Sequence, residues 1–464
     1  MESNVNDFQN SYNSYMEEQV SKTFGSKVGS GFRAFQHSGG FNYMTNDGSR
    51  YNIFTLQCLD SQLTQDSSGK NLDLDEGAFS TLYCNVLSSA RYTLSKESQK
   101  KVSDALIAYS GQAAAVIREY KNAGLPELTS DGTQAQIAEI YKNCAREFGG
   151  EVTKDCSIIP DSYLQFKVAL QTLNNMGGEA SQLVMNQGNK NAVLSSIIDN
   201  MTNPGKTNGG VPVDTDPASY YVGYDKIPDS NSLIGSLQTE SNAITINISG
   251  ESYDSDYMTL HLENHTKFNI PVLGLIDIEV DHKSTFDMDK LKTSDMTVDA
   301  SITYSGLTVV PVQPAPASIN GATGWYSETN ILEDIRKNTG DDSVDGYKLI
   351  DKRYEVSELF GGELAHLKTM LLSKEPSITI KLSNIDIDYA HSVFTTENDV
   401  SVKLFGFISL GGHSNSYKTT SISYDYDEKS VTLTFGEPDV SGTPDVKSLT
   451  AFIMGGVPEY PGMN

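Results

Sequence analysis

The spacing of apolar residues changes near residue 240, and this change limits what the chain can fold into. Between residues 78 and 201, apolar side chains recur every three or four residues, which is the period of amphipathic helices. From residue 243 they alternate with polar ones, as in Ile244, Ile246 and Ile248, which is the period of strands with one solvated face. We therefore predict an α+β multidomain protein in which an antiparallel helical bundle precedes a mainly antiparallel β-sandwich.

Composition divides the chain into four segments. Residues 1–77 are rich in Asn, Ser, Gly and Tyr and show little sustained apolar periodicity, so they are predicted to form an irregular arm with one short helix near Met16 to Val20. Residues 78–201 form the predicted helical domain, and residues 202–242, which contain several Pro and Gly residues, are the predicted linker. Residues 243–464 are the predicted β-sandwich domain.

One long apolar stripe indicates how the helical domain packs. Its residues recur at steps of three and four and are Val102, Ala105, Leu106, Tyr109, Ala113, Val116, Ile117 and Tyr120. Gly124 and Pro126 end the predicted helix that carries the stripe. Because a stripe this narrow must be covered on one side, we expect neighbouring helices to pack against it.

The strand-rich segment carries three further features. We predict two short inserted helices, one from Ser327 to Lys337 and one from Gly362 to Ser373. The Ser/Thr-rich stretch from Ser294 to Val310 alternates cleanly between apolar and polar residues. That alternation is typical of an ordinary sandwich strand, and it is also typical of a hairpin that lines a β-barrel pore.

The charge of the chain excludes one large class of ligand. With 34 Lys and Arg against 60 Asp and Glu, the formal net charge is −26 at pH 7. The resulting negative potential repels phosphate backbones, so we expect no nucleic-acid partner. Anionic membranes are disfavoured for the same reason, whereas a basic partner or a divalent cation would be attracted.

The N-terminus and the cysteines bear on where the protein resides. The first residues carry neither a basic region nor an apolar run, and no later stretch is apolar over the roughly 20 residues that a membrane-spanning helix needs. We therefore expect a chain that is cytoplasmic as synthesised, with release by lysis or by specialised export left open. The four cysteines show no CxxC pair, so buried thiols are expected.

Two groups of residues are candidate sites. His261, Glu263 and His265 alternate, so on a strand all three would project from one face, within reach of one zinc or calcium ion. The alternative is a set of solvated side chains, and no other cofactor is predicted. Trp325 and Tyr326 follow a segment rich in Pro and Gly, and we predict either an interaction surface or a packing anchor there.

No motif of high catalytic specificity is present. We find no GxSxG, no GxxxxGK[ST] and no dinucleotide fingerprint after a predicted strand. The first hypothesis is therefore a non-enzymatic interaction or self-assembly protein, with a homo-oligomer or another protein as partner. The alternatives are a membrane-active protein resembling a pore-forming toxin, and a metal- or carboxylate-dependent hydrolase that uses residues 261–281.

Overall fold

The fold was obtained as a computed structural model. It describes residues 2–25, 28, 31–35, 40–42, 51, 53–65, 72–213, 219–225, 227, 230–239, 242–252, 256–263, 267–272, 275–280, 283–284, 287–394, 399–405, 407–410, 417–436 and 450–461. Over these residues the chain combines helices with antiparallel sheets, as the change in periodicity predicts.

Helices occur along most of the described chain. They are α1 (Glu2–Phe24), α2 (Ile53–Leu59), α3 (Phe79–Ser88), α4 (Lys96–Asn122), α5 (Thr133–Phe148), α6 (Leu164–Asn175), α7 (Gly178–Thr202), α8 (Ser230–Thr239), α9 (Met288–Leu291), α10 (Glu333–Asn338), α11 (Val356–Glu358) and α12 (Ile387–Val393). Two π-helical turns, Glu328–Leu332 and Leu359–Glu363, lie next to α10 and α11.

Strands are concentrated after residue 240. They are β1 (Arg33–Ala34), β2 (Gly40–Asn42), β3 (Ser61–Gln65), β4 (Leu72–Ala78), β5 (Ala90–Thr93), β6 (Val211–Pro212), β7 (Tyr220–Tyr221), β8 (Tyr224–Asp225), β9 (Ala243–Ser252), β10 (Tyr257–Leu262), β11 (Lys267–Pro271), β12 (Ile276–Val280), β13 (Lys283–Ser284), β14 (Thr297–Ser305), β15 (Thr308–Pro311), β16 (Gln313–Pro314), β17 (Gly346–Leu349), β18 (His366–Ser373), β19 (Ser377–Ser383), β20 (Asp399–Leu404), β21 (Ile408–Leu410), β22 (Tyr417–Asp425), β23 (Ser430–Phe435) and β24 (Thr450–Glu459).

The chain forms two compact units. The first comprises residues 1–87, 196–328 and 354–464, and the second comprises residues 88–195 and 329–353. This division differs from the predicted boundaries at residues 77, 201 and 242, because the N-terminal segment and the predicted linker belong to the same unit as the strands.

The first unit is built on an antiparallel sheet of 11 described strands. Their order is β11-β10-β9-β14-β19-β23-β22-β20-β12-β13, with β21 paired to β20. Along the central strands, apolar side chains point to the core and polar ones to the other face, because successive residues of a strand point to opposite sides. Strands β22 and β23 form an antiparallel hairpin in which Asp425 pairs with Ser430.

Helix α1 corrects the start of the predicted irregular arm, because it runs over Glu2–Phe24 and not only near Met16 to Val20. The helix places Phe8, Tyr12, Met16 and Val20 on one face, and all four are buried in the same core as the large sheet. Phe8 contacts the rings of Phe268, Phe405 and Phe407 edge-on, at centroid distances of 5.4, 5.6 and 5.8 Å. Helix α1 is therefore held by tertiary packing that its Asn- and Ser-rich composition conceals.

A second sheet of five described strands corrects one of the two inserted helices. Residues His366–Ser373, predicted as part of a helix, form β18, which pairs with β15 on one side and β24 on the other. A strand that is paired and packed on most sides is almost continuously apolar, which is why its sequence resembles a buried helix. The other inserted helix is confirmed as the π-helical turn from Glu328 and the following α10.

The second unit has its own core between α4, α5 and α6. Its buried side chains include Ala113, Val116, Tyr120, Ile137, Ile140, Cys144, Cys156, Phe166, Leu170 and Leu173. Tyr120 meets the ring of Phe166 edge-on at 5.4 Å, and its hydroxyl accepts a hydrogen bond from the Asn143 amide at 2.9 Å. The predicted stripe of α4 therefore enters the core only from Ala113 onward.

A carboxylate on α5 holds the loop that precedes this helix. Glu139 accepts hydrogen bonds from the backbone N–H groups of Thr129, at 3.0 Å, and Ser130, at 2.8 Å. These bonds lower the pKa of Glu139 from 4.5 to about 2. Because the pKa is lower in the folded state, the stabilisation is present above pH 4.5 and is lost as the pH falls toward 2.

We expect Glu139→Gln to lower the Tm at neutral pH and to have a smaller effect near pH 2, where about half of the wild-type carboxylate is also protonated. The measurement is thermal unfolding of both proteins followed by circular dichroism from pH 2 to 7. Glu147→Gln is the matched control, because Glu147 is exposed on the same helix and pairs with the adjacent Arg146. Equal Tm losses for Glu139→Gln at both ends of the pH range would contradict this assignment.

Candidate functional site

The outward face of the large sheet carries rows of polar side chains. On β9, Ile246 and Ile248 are buried while Asn247 and Ser249 are exposed. Strand pairing places Asn247 opposite Ser301 of β14, and Ser301 opposite Thr379 of β19. Residues directly opposite each other project from the same face, so these side chains form a row that runs across the strands.

A second row lies two residues along the same strands. It contains Ser249, Asp299 and Lys381, which are aligned by the same pairings, and it continues to His261 of β10, which pairs with Ser249. Lys381 also forms an ion pair with Glu428 at 2.7 Å. The second row therefore combines a carboxylate, an ammonium group, an imidazole and a hydroxyl.

The two rows line an open groove with a volume of about 620 Å³. Its lining residues are Asn247, Ile248, Ser249, His261, Leu262, Glu263, Asp299, Ala300, Ser301, Thr379 and Lys381. Of these, Ile248, Leu262 and Ala300 are buried on the core side of the sheet. The groove therefore combines hydrogen-bonding side chains with the apolar parts of the strands that line it.

Two of the three residues predicted to bind a metal lie at this groove. The His261 Nε2 atom is 3.6 Å from a Glu251 carboxylate oxygen. The Glu263 carboxylate accepts hydrogen bonds from the Tyr15 hydroxyl at 3.3 Å and the Asn247 amide at 3.5 Å. His265 lies outside the described residues.

A zinc or calcium site at this position stays a prediction. Within the part of the chain that the structure describes, no group of three or more His, Cys, Asp or Glu side chains is arranged to hold a metal ion. His261 and Glu263 are each engaged by other side chains, Glu251 in one case and Tyr15 and Asn247 in the other. These partners compete with the coordination of an ion.

Trp325 and Tyr326 are placed inside the first unit. Trp325 is buried, and its indole N–H donates to the backbone carbonyl of Gly223 at 2.6 Å. Its ring lies 5.7 Å from Tyr83 and 5.8 Å from Tyr224. Burial prevents direct contact of the indole with a partner, so the structure favours the packing-anchor interpretation over an interaction surface.

His366 lies next to the same aromatic cluster. Burial lowers the pKa of this histidine below its ordinary value of 6.5. Its Nε2 atom is 3.4 Å from the Tyr326 hydroxyl and 3.6 Å from a Glu459 carboxylate oxygen, and its ring lies 4.8 Å from Phe79. The imidazole is therefore a packed, largely neutral core residue.

Asp60 is the polar group that the sequence analysis missed. This carboxylate is fully buried and accepts four hydrogen bonds, from the Ser80 N–H (2.9 Å), the Ser80 hydroxyl (2.5 Å), the Tyr221 hydroxyl (3.0 Å) and the Tyr224 hydroxyl (2.6 Å). Burial raises its pKa, although these hydrogen bonds oppose the shift. The network joins segments distant in sequence, and no local motif indicates it.

Most of the stretch considered for a membrane hairpin forms β14, in the middle of the large sheet. Strand β14 pairs with β9 over Thr297–Ser305 and with β19 over Thr297–Thr303. Releasing it would break ladders on both sides, so this position favours an ordinary strand. Among the described residues, no helix combines the length and the apolar character required to cross a membrane.

The comparisons with known proteins identify no relative. No protein-family model, no curated protein and no solved structure matches this chain. The function of the chain must therefore be inferred from its own geometry and chemistry.

Proposed function

We propose that the chain is a non-enzymatic protein that associates with further copies of itself through its helical unit. The observation that carries the proposal is a set of large apolar side chains that lie on helices and outside any core. In the part of the chain that the structure describes, Leu106 is 61% exposed, Ile107 69%, Val184 49% and Met185 62%. Exposed apolar groups mark an association surface when they are contiguous, and Leu106–Ile107 and Val184–Met185 each place two such groups side by side.

Helix α4 supports the proposal by the way its stripe divides. Ala113, Val116 and Tyr120 are buried in the core of the second unit. No residue between 103 and 111 is buried, although the apolar pattern continues through Leu106 and Tyr109. A stripe that extends beyond its own core offers a surface that another helix can cover.

Helix α7 repeats this arrangement. No residue between 178 and 193 is buried, and the exposed Val184 and Met185 lie within that stretch. Met suits a contact surface because its flexible, polarisable side chain adapts to different neighbours. The two helices meet at an ion pair between Lys101 and Glu179, at 3.1 Å.

Local charge permits a second copy of this chain as the partner. Two chains of net charge −26 repel each other over most of their surfaces. The start of α4 is different, because residues 96–104 contain three lysines and two acidic residues. Lys100 pairs with Asp104 at 2.9 Å and Lys101 with Glu97 at 3.4 Å, so two copies can approach there with little net repulsion.

The finer architecture predicted from the sequence belongs to this proposal. In it, the second unit acts as an antiparallel bundle that presents the association surface. The strands of the first unit act as a sandwich that is not needed for association. Truncation to either part is therefore not required to test the proposal, since point substitutions on α4 and α7 address it directly.

We expect light scattering coupled to size-exclusion chromatography to give, over a concentration series, a mass that rises to a multiple of the 50.6 kDa chain. The double variant Leu106→Ser and Ile107→Ser should shift this equilibrium toward the monomer by at least about tenfold in dissociation constant, because about 1.4 kcal/mol of apolar contact is lost. The pair Val184→Ser and Met185→Ser tests α7 in the same way.

The matched control is Ala108→Ser, which adds a hydroxyl to an exposed position between Ile107 and Tyr109. It should leave the association unchanged. A wild-type protein that stays monomeric at every concentration would exclude self-association. Double variants that associate like the wild type would show that the contact lies elsewhere.

A further inference from the structure

His366 lies where two paired strands meet the aromatic cluster around Trp325. It begins β18, is 2% exposed, and is the direct cross-strand partner of Glu459 on β24. Its ring lies 4.8 Å from the ring of Phe79 and 5.3 Å from the ring of Tyr326. The imidazole therefore contacts α3, β24 and the segment that carries Tyr326, so a change in its hydrogen bonds affects all three.

The hydrogen bonds of the ring determine which nitrogen carries the proton. The Nδ1 atom of His366 lies 2.8 Å from the backbone carbonyl oxygen of Leu367. Because a carbonyl oxygen can only accept, Nδ1 carries the proton of the neutral ring, and Nε2 has a lone pair. The Tyr326 hydroxyl, 3.4 Å from Nε2, is then the donor to that lone pair.

The lone pair of Nε2 also faces a carboxylate. A Glu459 oxygen lies 3.6 Å from Nε2 of His366, and in the neutral state no proton joins these two acceptors. The other Glu459 oxygen accepts a hydrogen bond from the Lys368 ammonium group at 2.8 Å, which holds the carboxylate in place. Among the described residues, Nε2 has no hydrogen-bond or ion-pair partner besides Tyr326 and Glu459. A proton added at Nε2 would therefore face the carboxylate directly.

Burial opposes the uptake of that proton. It lowers the pKa of His366 below 6.5, against the effects of the Leu367 carbonyl and the Glu459 carboxylate, and the positive charge of Lys368 adds to the lowering. The ring is therefore neutral at pH 7 and takes up a proton in acid. Because the pKa is lower in the folded state, the stability that the neutral ring contributes is present above about pH 6.5 and is lost as the pH falls through the folded pKa.

The other titratable groups near the ring respond differently to acid. Tyr83, whose ring lies 5.5 Å from that of Tyr326, stays neutral in acid as tyrosines do. Burial, and then the charge of Glu328, raise the pKa of Tyr326 further above 10, so this hydroxyl also keeps its proton. The buried Asp60 carboxylate is joined to the cluster by the Tyr224 hydroxyl at 2.6 Å and must be separated from His366 in any acid titration.

We propose that His366 is an acid-operated switch between two hydrogen-bond partners. At neutral pH the Tyr326 hydroxyl donates to Nε2. In acid, Nε2 takes up a proton from water and donates a hydrogen bond to the Glu459 carboxylate, so Tyr326 loses its acceptor. A hydroxyl without an acceptor is unfavourable away from water, so the Tyr326 side chain loosens its packing while the pair between β18 and β24 tightens. The switch is independent of the proposed self-association, since none of these residues lies on α4 or α7.

The test is a titration of the full chain from pH 7.5 to 4.5, followed by Trp325 fluorescence and by NMR of ¹³C-labelled histidine. Trp325 is the only tryptophan, and its ring lies 6.1 Å from that of Tyr326. We expect one histidine to titrate with a pKa below 6.5 and the fluorescence to change with the same midpoint. His366→Gln should remove both signals, because the amide does not titrate.

Three variants distinguish the switch from a histidine that is merely buried. Glu459→Gln removes the acceptor of the charged ring and should lower both midpoints by about one pH unit. His391→Gln is the matched control, because His391 is exposed and contacts the ring of Tyr424, outside the cluster. It should leave both midpoints unchanged. Asp60→Asn should also preserve the His366 midpoint, which separates the acid response of Asp60 from that of the switch.

Two results would overturn the proposal. One is a fluorescence transition that persists unchanged in His366→Gln, and the other is a His366 midpoint that Glu459→Gln does not lower. Circular dichroism at pH 7.5 checks that each variant is folded. If His366→Gln does not fold, Glu459→Gln still decides the question, because it leaves the histidine in place and its predicted effect is a shift of the titration.

Discussion

Phe8→Ala is expected to lower the free energy of unfolding of the first unit by about 3–5 kcal/mol, which is the usual cost of removing a fully buried phenylalanine. The ring of Phe8 is 0% exposed. It contacts Phe268 of β11 and two rings that come directly after β20, Phe405 and Phe407. Removing the Phe8 ring leaves a cavity that is lined by Phe268, Phe405 and Phe407. Because Trp325 is the only tryptophan and is buried in this unit, its fluorescence reports the urea unfolding.

Two further variants make this expectation specific. Phe8→Leu keeps most of the apolar volume and should cost clearly less than the alanine variant. Ser21→Ala changes an exposed residue on the same helix and should stay within about 0.5 kcal/mol of the wild type. If Phe8→Ala unfolded at the same urea concentration as Ser21→Ala, α1 would not be part of the core.

Asp60→Ala should cost about 3 kcal/mol. The substitution leaves the Ser80 N–H and the hydroxyls of Tyr221 and Tyr224 without their acceptor, and each unsatisfied buried donor costs about 1–3 kcal/mol. The measurement is again urea unfolding followed by Trp325, whose ring lies 5.8 Å from Tyr224. Asp225→Ala, at an exposed aspartate on β8, is the matched control and should have little effect.

The pH dependence of Asp60 has a defined sign. Burial raises the pKa of this carboxyl above its ordinary value of 3.8, so the folded state binds the proton more tightly than the unfolded state. The stability that protonated Asp60 contributes is fully present below about pH 3.8 and is lost as the pH rises through the folded pKa. We expect the stability difference between the wild type and Asp60→Asn to be most favourable to the wild type in acid and to shrink on raising the pH. A difference that grows with pH would reverse the assigned direction.

Periodicity predicted the elements whose two faces differ. The alternation of Ile244, Ile246 and Ile248 gave β9 with its buried and exposed faces, and the same reasoning gave β14. The stripe ending at Tyr120 gave α4. These elements are predictable because one face is apolar and the other is polar, and that contrast is written locally in the sequence.

Elements defined by distant partners were misread. In α1, Phe8, Tyr12 and Met16 do recur at helical spacing, but the Asn and Ser residues between them suggested an irregular segment. In β18, burial on most sides removed the alternation that marks a strand. Local pattern alone does not reveal which surface will cover such a segment.

The groove was predictable only in part. The sequence placed His261 and Glu263 on the solvated face of a strand, but their nearest partners, Glu251, Asn247 and Tyr15, depend on strand register and on the position of α1. The Asp60 network was not predictable from local sequence, because its donors lie 20 to 164 residues away along the chain. Contacts of that separation follow from the completed fold.

During synthesis, α1 is made before the residues that cover its apolar face. Phe8 leaves the ribosome long before Phe268 and Phe405, the rings that cover it. At translation rates of 5–20 residues per second, the wait for Phe405 is roughly 20–80 s. Throughout that interval the apolar face of the nascent helix lacks part of its native cover. We therefore expect chaperone demand to be greatest early in translation and to fall once the last strands emerge.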